Sequence, residues 1–284
     1  MEKLQPNLAE TLAKELKTPI EIASNLPAAL RRVALPPGWS LEERDEEHRL
    51  TAPRRKHALV RLKDVDSFID YVKRHGSLTD CTIWCQADYL EGKVSFTGII
   101  NDNGSDPGAS AWRDHRALFS PEFSTEWRRW TGRDKQAFSQ AEFAAFLEEN
   151  LKDIASVHES GMPTGAEMLQ MALQFEANQD MRFKSAVRLQ NGGVSMQFVQ
   201  DDDDQTLAKM QMFERFAIGI PVFWNGDAYQ VDARLRYRVR DGKLSFWFEL
   251  IRTDKILESA SATVIQTIRE KTGNPFFFGD AFAG

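Results

Sequence analysis

One stretch constrains the fold more than any other. From Tyr229 to Arg240 the chain alternates strictly, with Tyr229, Val231, Ala233, Leu235, Tyr237 and Val239 on one face and Asp232, Arg234, Arg236, Arg238 and Arg240 on the other. Period-two alternation is the signature of a strand with one face buried. Asp241-Gly242 follows, a pair suited to the tight turns whose twist matches a hairpin. Folding back there sets Val239 against Leu244, Tyr237 against Phe246, Leu235 against Phe248 and Ala233 against Leu250. All four pairs are apolar, which pins the register, because a slip of one residue turns the whole set to water. On the other face Arg236 meets Trp247 and Arg234 meets Glu249, predicting cation–π stacking and a cross-strand ion pair of about 0.2–1 kcal/mol each. At about 3.4 Å per residue the strand is about 40 Å long, so its tip is placed to protrude into a partner.

The same logic predicts a second hairpin about Asn191-Gly192, pairing Leu189 with Val194, Val187 with Met196 and Ser185 with Phe198, with Arg182, Lys184 and Arg188 opposite. Phe216–Val222 supplies a further strand. Ile256, Leu257, Ala260, Val264 and Ile268 build an amphipathic helix ended by Gly273-Asn274-Pro275. Earlier in the chain, Ala58–Leu62, Thr79–Tyr89 and Lys93–Asn101 are strand-like, the last two joined across Glu91-Gly92. Asp64–His75 is a helix stopped by Gly76. Ser139 and Glu142 have the spacing of a capping box, in which each side chain satisfies the other's backbone N–H. Phe143, Phe146, Leu147, Leu151 and Ile154 follow as one apolar stripe. Helices are also predicted over Leu8–Leu16 and Ala166–Ala177, and loops at Pro36-Pro37-Gly38 and Asn103–Gly108.

Together these elements predict an α+β fold: an antiparallel sheet with long hairpins, one face covered by helices and the opposite face basic. Gly161-Met162-Pro163 suggests a division into an N-terminal α+β half, 1–160, and a C-terminal hairpin sheet with its terminal helix, 161–284, unless the two form one continuous domain. With 284 residues, 42% of them hydrophobic, the chain buries a sizeable core. Met1–Leu16 alternates charged and apolar residues, so no secretory signal is expected. No apolar run approaches the roughly 20 residues of a membrane span. A cytoplasmic protein with no membrane partner is expected.

The search for chemistry returns little. Cys81 and Cys85 lie on one strand about 13 Å apart by strand rise, too far for a disulfide, and read as buried apolar residues. The five histidines include no close ligand pair, so no metal site is expected. Phosphate-cradling glycine motifs and a nucleophile elbow are missing as well, so neither a cofactor nor a catalytic residue is assigned. Asp201–Asp204 is read as a solvated linker, with cation or partner contact as the alternative.

Two features point to binding. The first is the row Arg234, Arg236, Arg238 and Arg240 with Trp247. It is either a solvated sheet face or a contact surface for phosphates, for acidic patches on a partner, or for another copy. The net charge of −6 and the small local basic excess give weak support for nucleic acid. The second is Trp112-Arg113-Asp114-His115-Arg116 through Trp127-Arg128-Arg129-Trp130. Arginine over an aromatic ring can stack on bases, and both residue types dominate interface hot spots. Tryptophans packed in the core beneath snorkelling arginines are the alternative.

The run Trp112-x-x-His115-Arg116-x-x-Phe119-Ser120-Pro121, then Glu126-Trp127-x-x-Trp130, then Phe138-Ser139-x-x-x-Phe143-x-x-Phe146-Leu147-Glu148, resembles the YfdQ-like proteins of phages and prophages. The similarity extends over most of the chain to Gly273-Asn274-Pro275. It implies a phage-derived origin near recombination functions, in the cytoplasm of a bacterial host. The family's function is unknown, so no catalytic residue carries over. A non-enzymatic accessory protein that self-associates and binds a host or phage protein or a nucleic acid is therefore expected. The alternatives are a self-assembling ring or capsid-like shell, and a nucleic-acid-binding protein of phage recombination.

Overall fold

The computed structural model describes residues 47–104, 109, 111–155, 162–176, 182–188, 193–201, 204–240 and 243–282, with 8, 11, 15, 20–22, 32–34 and 38. The chain divides into two units, residues 1–56 and 57–284. In the first, Ile20–Ile22 (β1) pairs antiparallel with Arg32–Ala34 (β2). One turn of 3-10 helix runs over Glu47–Arg49, and the Arg54 backbone N–H donates to the Glu47 carboxylate at 2.6 Å. Of the helix predicted over Leu8–Leu16, the described residues Leu8, Thr11 and Glu15 are helical; the rest lie outside the described residues.

Along the second unit the order is β3 (Ala58–Leu62), α1 (Val65–His75), β4 (Thr82–Asp88), β5 (Lys93–Ile99), β6 (His115–Phe119), α2 (Thr125–Gly132), β7 (Phe138–Ser139), α3 (Gln140–Glu149), α4 (Gly165–Glu176), β8 (Arg182–Arg188), β9 (Gly193–Asp201), β10 (Asp204–Phe213), β11 (Arg215–Pro221), β12 (Ala228–Arg240), β13 (Lys243–Leu250), α5 (Thr253–Thr272) and β14 (Phe276–Phe278). The α+β class holds. The strands form sheets ordered β14-β4-β5-β6-β3, β11-β12-β13-β7 and β10-β9-β8. The first is mixed rather than purely antiparallel, because β3 runs parallel to β6 and β14 parallel to β4. Parallel neighbours need long connections, and these have them: α1, β4 and β5 lie between β3 and β6, and most of the unit lies between β4 and β14. Pairings cross residue 160 in both directions, since β14 joins β4 and β7 joins β13.

The β12–β13 register is the one the alternation predicts, pair for pair from Ala233↔Leu250 to Val239↔Leu244. The turn residues Asp241-Gly242 lie outside the described residues. Val231, Ala233 and Leu235 are buried while Arg234, Arg236 and Arg238 are exposed. The second hairpin also forms, but its register differs from the predicted one by a residue: Val187 pairs with Ser195 and Ala186 with Met196, and the ladder shifts again between Phe183 and Ser185. Pairing ends at Arg188↔Val194, which is not the register a two-residue turn at Asn191-Gly192 sets; the turn itself lies outside the described residues. Of the acidic run, Asp201 ends β9 and Asp204 begins β10, and the two are a cross-strand pair rather than linker; Asp202 and Asp203 lie outside the described residues.

Local chemistry explains the helix ends. Asp64 caps α1 by accepting from the Ser67 N–H at 2.8 Å, and that bond holds its carboxyl below the usual range. Ser139 and Glu142 form the capping box of α3. This helix ends at Glu149; Leu151 enters a short 3-10 turn and Ile154 pairs as a bridge with Ile218, so the predicted stripe leaves the helix before its last two members. Gly273 ends α5 at φ +70°, where glycine carries no Cβ penalty. Gly76 acts differently. Its φ is −98°, but a Cβ there would lie 2.8 Å from the Cys81 Cβ, so the glycine is needed for close approach.

The core lies between sheets and helices. Phe68, Ile69 and Val72 of α1 pack on Phe96 and Phe119 of the mixed sheet. Trp130 of α2 and Phe143, Phe146 and Leu147 of α3 pack on Phe216, Phe246 and Phe248 of the second sheet. Side chains of this size contribute about 1.5–3 kcal/mol each when fully buried.

Candidate functional site

The exposed face of the β11-β12-β13 sheet gathers guanidinium groups. Arg234, Arg236 and Arg238 project from β12 because the pleat sends alternate residues to opposite sides. Arg215, at the start of β11, is the cross-strand partner of Arg234 and is also exposed. Like charges set directly opposite on a sheet are destabilising, and guanidinium cannot relieve the repulsion by losing its proton. Trp247 sits across from Arg236, half-buried, and its indole N–H donates to Glu249 Oε1 at 3.4 Å. Glu249 Oε2 lies 3.6 Å from Arg236 Nε, so the cross-strand ion pair is diagonal rather than the predicted Arg234–Glu249. For Arg240 the backbone pairing with Lys243 is described and the side chain is not.

Both edges of this sheet are covered in part. On β11, Ala155 N–H donates to the Ala217 carbonyl at 2.9 Å and Ser124 N–H to that of Val222 at 3.0 Å. On β13, β7 takes Ser245 and Phe246. Lys135 N–H donates to the Phe248 carbonyl, and Asp134 accepts from the Leu250 N–H, both at 2.8 Å. Beyond Leu235, β12 pairs among the described residues only with β13, while the arginine side chains stand on the exposed face.

The Trp/Arg segment has the opposite fate. Trp130 is fully buried; its indole N–H donates to Asp153 Oδ2 at 2.8 Å and its ring meets Phe146 edge-on at 4.9 Å. Trp127 is buried and stacks on Phe123. His115 is 4% exposed, with Nε2 2.9 Å from the Tyr71 hydroxyl. These three cannot form a contact surface, and core packing is the reading that holds for them. Arg113, held at φ +56°, bonds Asp102 at 2.8 Å and the Ala281 carbonyl at 3.1 Å. The Arg113 and Arg116 guanidiniums lie 4.9 and 3.8 Å from the Phe282 ring centre, so both clamp the C-terminal segment. Arg128 is exposed, and Trp112 is 76% exposed. The structure therefore splits the predicted contact residues: the β12 row stands on one face, and the Trp/Arg cluster does not join it. Arg215 stands one residue before the strand predicted over Phe216–Val222, although its phase matches the row.

Other chemistry is accounted for. Burial pushes the Cys81 thiol up to about 12 and that of Cys85 to about 11, so neither is a thiolate nucleophile at neutral pH. Among the described residues no group of three or more His, Cys, Asp or Glu is placed to hold a metal. A cleft of about 290 Å³ opens between the start of α1, the β11–β12 loop and α5, with Trp224 at its rim. Within its lining Asp66 bonds Lys271 at 2.9 Å and Tyr229 bonds Thr263 at 3.0 Å. No helix among the described residues is long and apolar enough to cross a membrane.

No curated protein and no solved structure matches the chain. A family model does, over residues 3–281, described as an uncharacterized conserved protein (DUF2303), and the chain belongs to that family.

Proposed function

We propose that this chain is a non-enzymatic, YfdQ-like protein of phage or prophage origin that self-associates and acts in the host cytoplasm by binding a protein or nucleic-acid target. The observation that carries the reading is the arginine face: Arg215, Arg234, Arg236 and Arg238 exposed together on one sheet. Glu249 meets Arg236, and Asp232 lies in phase with the row; an anionic surface would complement the remaining guanidiniums.

The test is the triple variant Arg234→Ala/Arg236→Ala/Arg238→Ala, compared with wild type by mass photometry and by capture from host lysate. Loss of self-association or of captured partners supports the reading. A variant that matches wild type in both overturns it. Salt-sensitive binding to single strands, lost in the same variant, would identify the nucleic-acid target instead.

A second reading, assembly into a ring or capsid-like shell, is favoured by the β10-β9-β8 sheet. Among the described residues its outer strands β8 and β10 pair only with β9, leaving two edges open to another chain. Uniform large particles in negative-stain microscopy support it, and small globules count against it.

A further inference from the structure

The cleft between the start of α1, the β11–β12 loop and α5 has a lining that selects its ligand. Its volume, about 290 Å³, lies close to the lower end of small-ligand pockets, about 300–1,000 Å³. Phe119, Phe223 and Ala260 line it and are buried, so its floor is apolar. Tyr229 and Trp224 add two further rings. Trp224 is 57% exposed, yet its backbone is fixed: its N–H donates to the Glu122 carbonyl at 2.8 Å, and the Gly226 N–H to that of Phe223 at 3.0 Å. A fixed indole left in water forgoes burial that a ligand in the cleft would supply.

Charge narrows the ligand class. The lining holds four carboxylates, Asp64, Asp66, Glu122 and Asp227, against one base, Lys63. Two of the four are engaged: Asp64 caps α1 through the Ser67 N–H, and Asp66 bonds Lys271. The Glu122 and Asp227 side chains are exposed and make no hydrogen bond or ion pair among the described residues. An anion meets this excess of negative charge unfavourably. A cation gains from the carboxylates and from the negative faces of the rings together. A bare metal ion would leave the apolar floor uncovered, so the lining suits an apolar body with a positive head. We infer that the cleft binds an organic ammonium compound, its body seated on Phe119 and Phe223 and its head met by Trp224 and the Glu122 and Asp227 carboxylates. This goes beyond the proposed function and does not rest on the arginine face.

The experiment is a ligand-observed NMR titration of the full chain with three probes of similar size: phenethylammonium, uncharged 2-phenylethanol and anionic phenylacetate. Phenethylammonium should bind saturably, and about tenfold or more tighter than either of the others. Trp224→Ala should weaken its binding about three- to thirtyfold, and Glu122→Gln/Asp227→Asn should do the same. Lys63→Gln removes the opposing base and should tighten binding about two- to fivefold, a gain that a merely structural role would not produce. All four side chains are exposed, so thermal melts of these variants should match wild type. Arg234→Ala/Arg236→Ala/Arg238→Ala, which removes the proposed contact face, should leave the affinity for phenethylammonium unchanged, so the two readings fail separately. Absence of saturable phenethylammonium binding overturns the inference. So does equal binding of the uncharged or the anionic probe, or an affinity that neither Trp224→Ala nor Glu122→Gln/Asp227→Asn alters.

Discussion

Residues 112–130 and 229–250 carry similar side chains, arginines set among aromatic rings, and the fold uses them in opposite ways. In the later region the guanidiniums stand in water over a buried apolar face. In the earlier one the rings of Trp127, Trp130 and His115 are inside, and two of the arginines clasp the C-terminal Phe282. The difference lies in periodicity. A strand assigns faces by parity alone, so composition along it translates directly into exposure. Residues 112–130 pass from irregular chain through β6 into another loop and α2, and no single period applies across those changes. Tryptophan-rich segments of that kind are sorted by whatever packs on them.

Substitutions can break or sharpen this contrast. The largest effect is expected at Trp130. Trp130→Ala removes a fully buried ring and leaves Asp153 without its indole donor, and should cost about 3–5 kcal/mol in urea unfolding; a loss under about 1 kcal/mol would mean the ring is not a core element. Next is Ser124, the N-cap of α2, whose hydroxyl oxygen accepts from the Trp127 N–H and whose O–H donates to the Pro221 carbonyl. Ser124→Ala should lower stability by about 1–2 kcal/mol in the same assay. In the hairpin, Glu249→Gln removes the ion pair to Arg236 and should cost no more than about 1 kcal/mol, fading in thermal melts at high salt. The smallest change in stability per site should come from Arg234→Ala/Arg236→Ala/Arg238→Ala, within about 0.5 kcal/mol at each, because relieving the Arg215–Arg234 opposition offsets lost contacts. A triple variant that unfolds at room temperature would erase the distinction between the two regions.

Legibility follows the same line. The β12–β13 pairs were readable because one residue's displacement would have inverted every side chain. The ends of α3 and α5 were readable in part because caps are local chemistry, although α3 stops short where Ile154 is drawn to Ile218 on β11. The β8–β9 register departs by one residue from the one a two-residue turn at Asn191-Gly192 sets. Phe276–Phe278 carry no alternation at all, yet form β14 against β4 nearly two hundred residues away; a run of three identical rings encodes neither a face nor a partner.

What the sequence determined by itself is whatever depends on neighbours a few positions apart: the hairpin with its arginine row, the helix caps, and the buried cysteines. What only the tertiary structure decided is the fate of groups whose partners are remote. Examples are Arg215 brought opposite Arg234, Trp130 sealed against Asp153 and Phe248, and the C-terminal strand closing the first sheet. Short-range rules act through fixed backbone geometry and can be read along the chain. Long-range burial is settled by competition among many surfaces for the same core, and no segment carries that outcome alone.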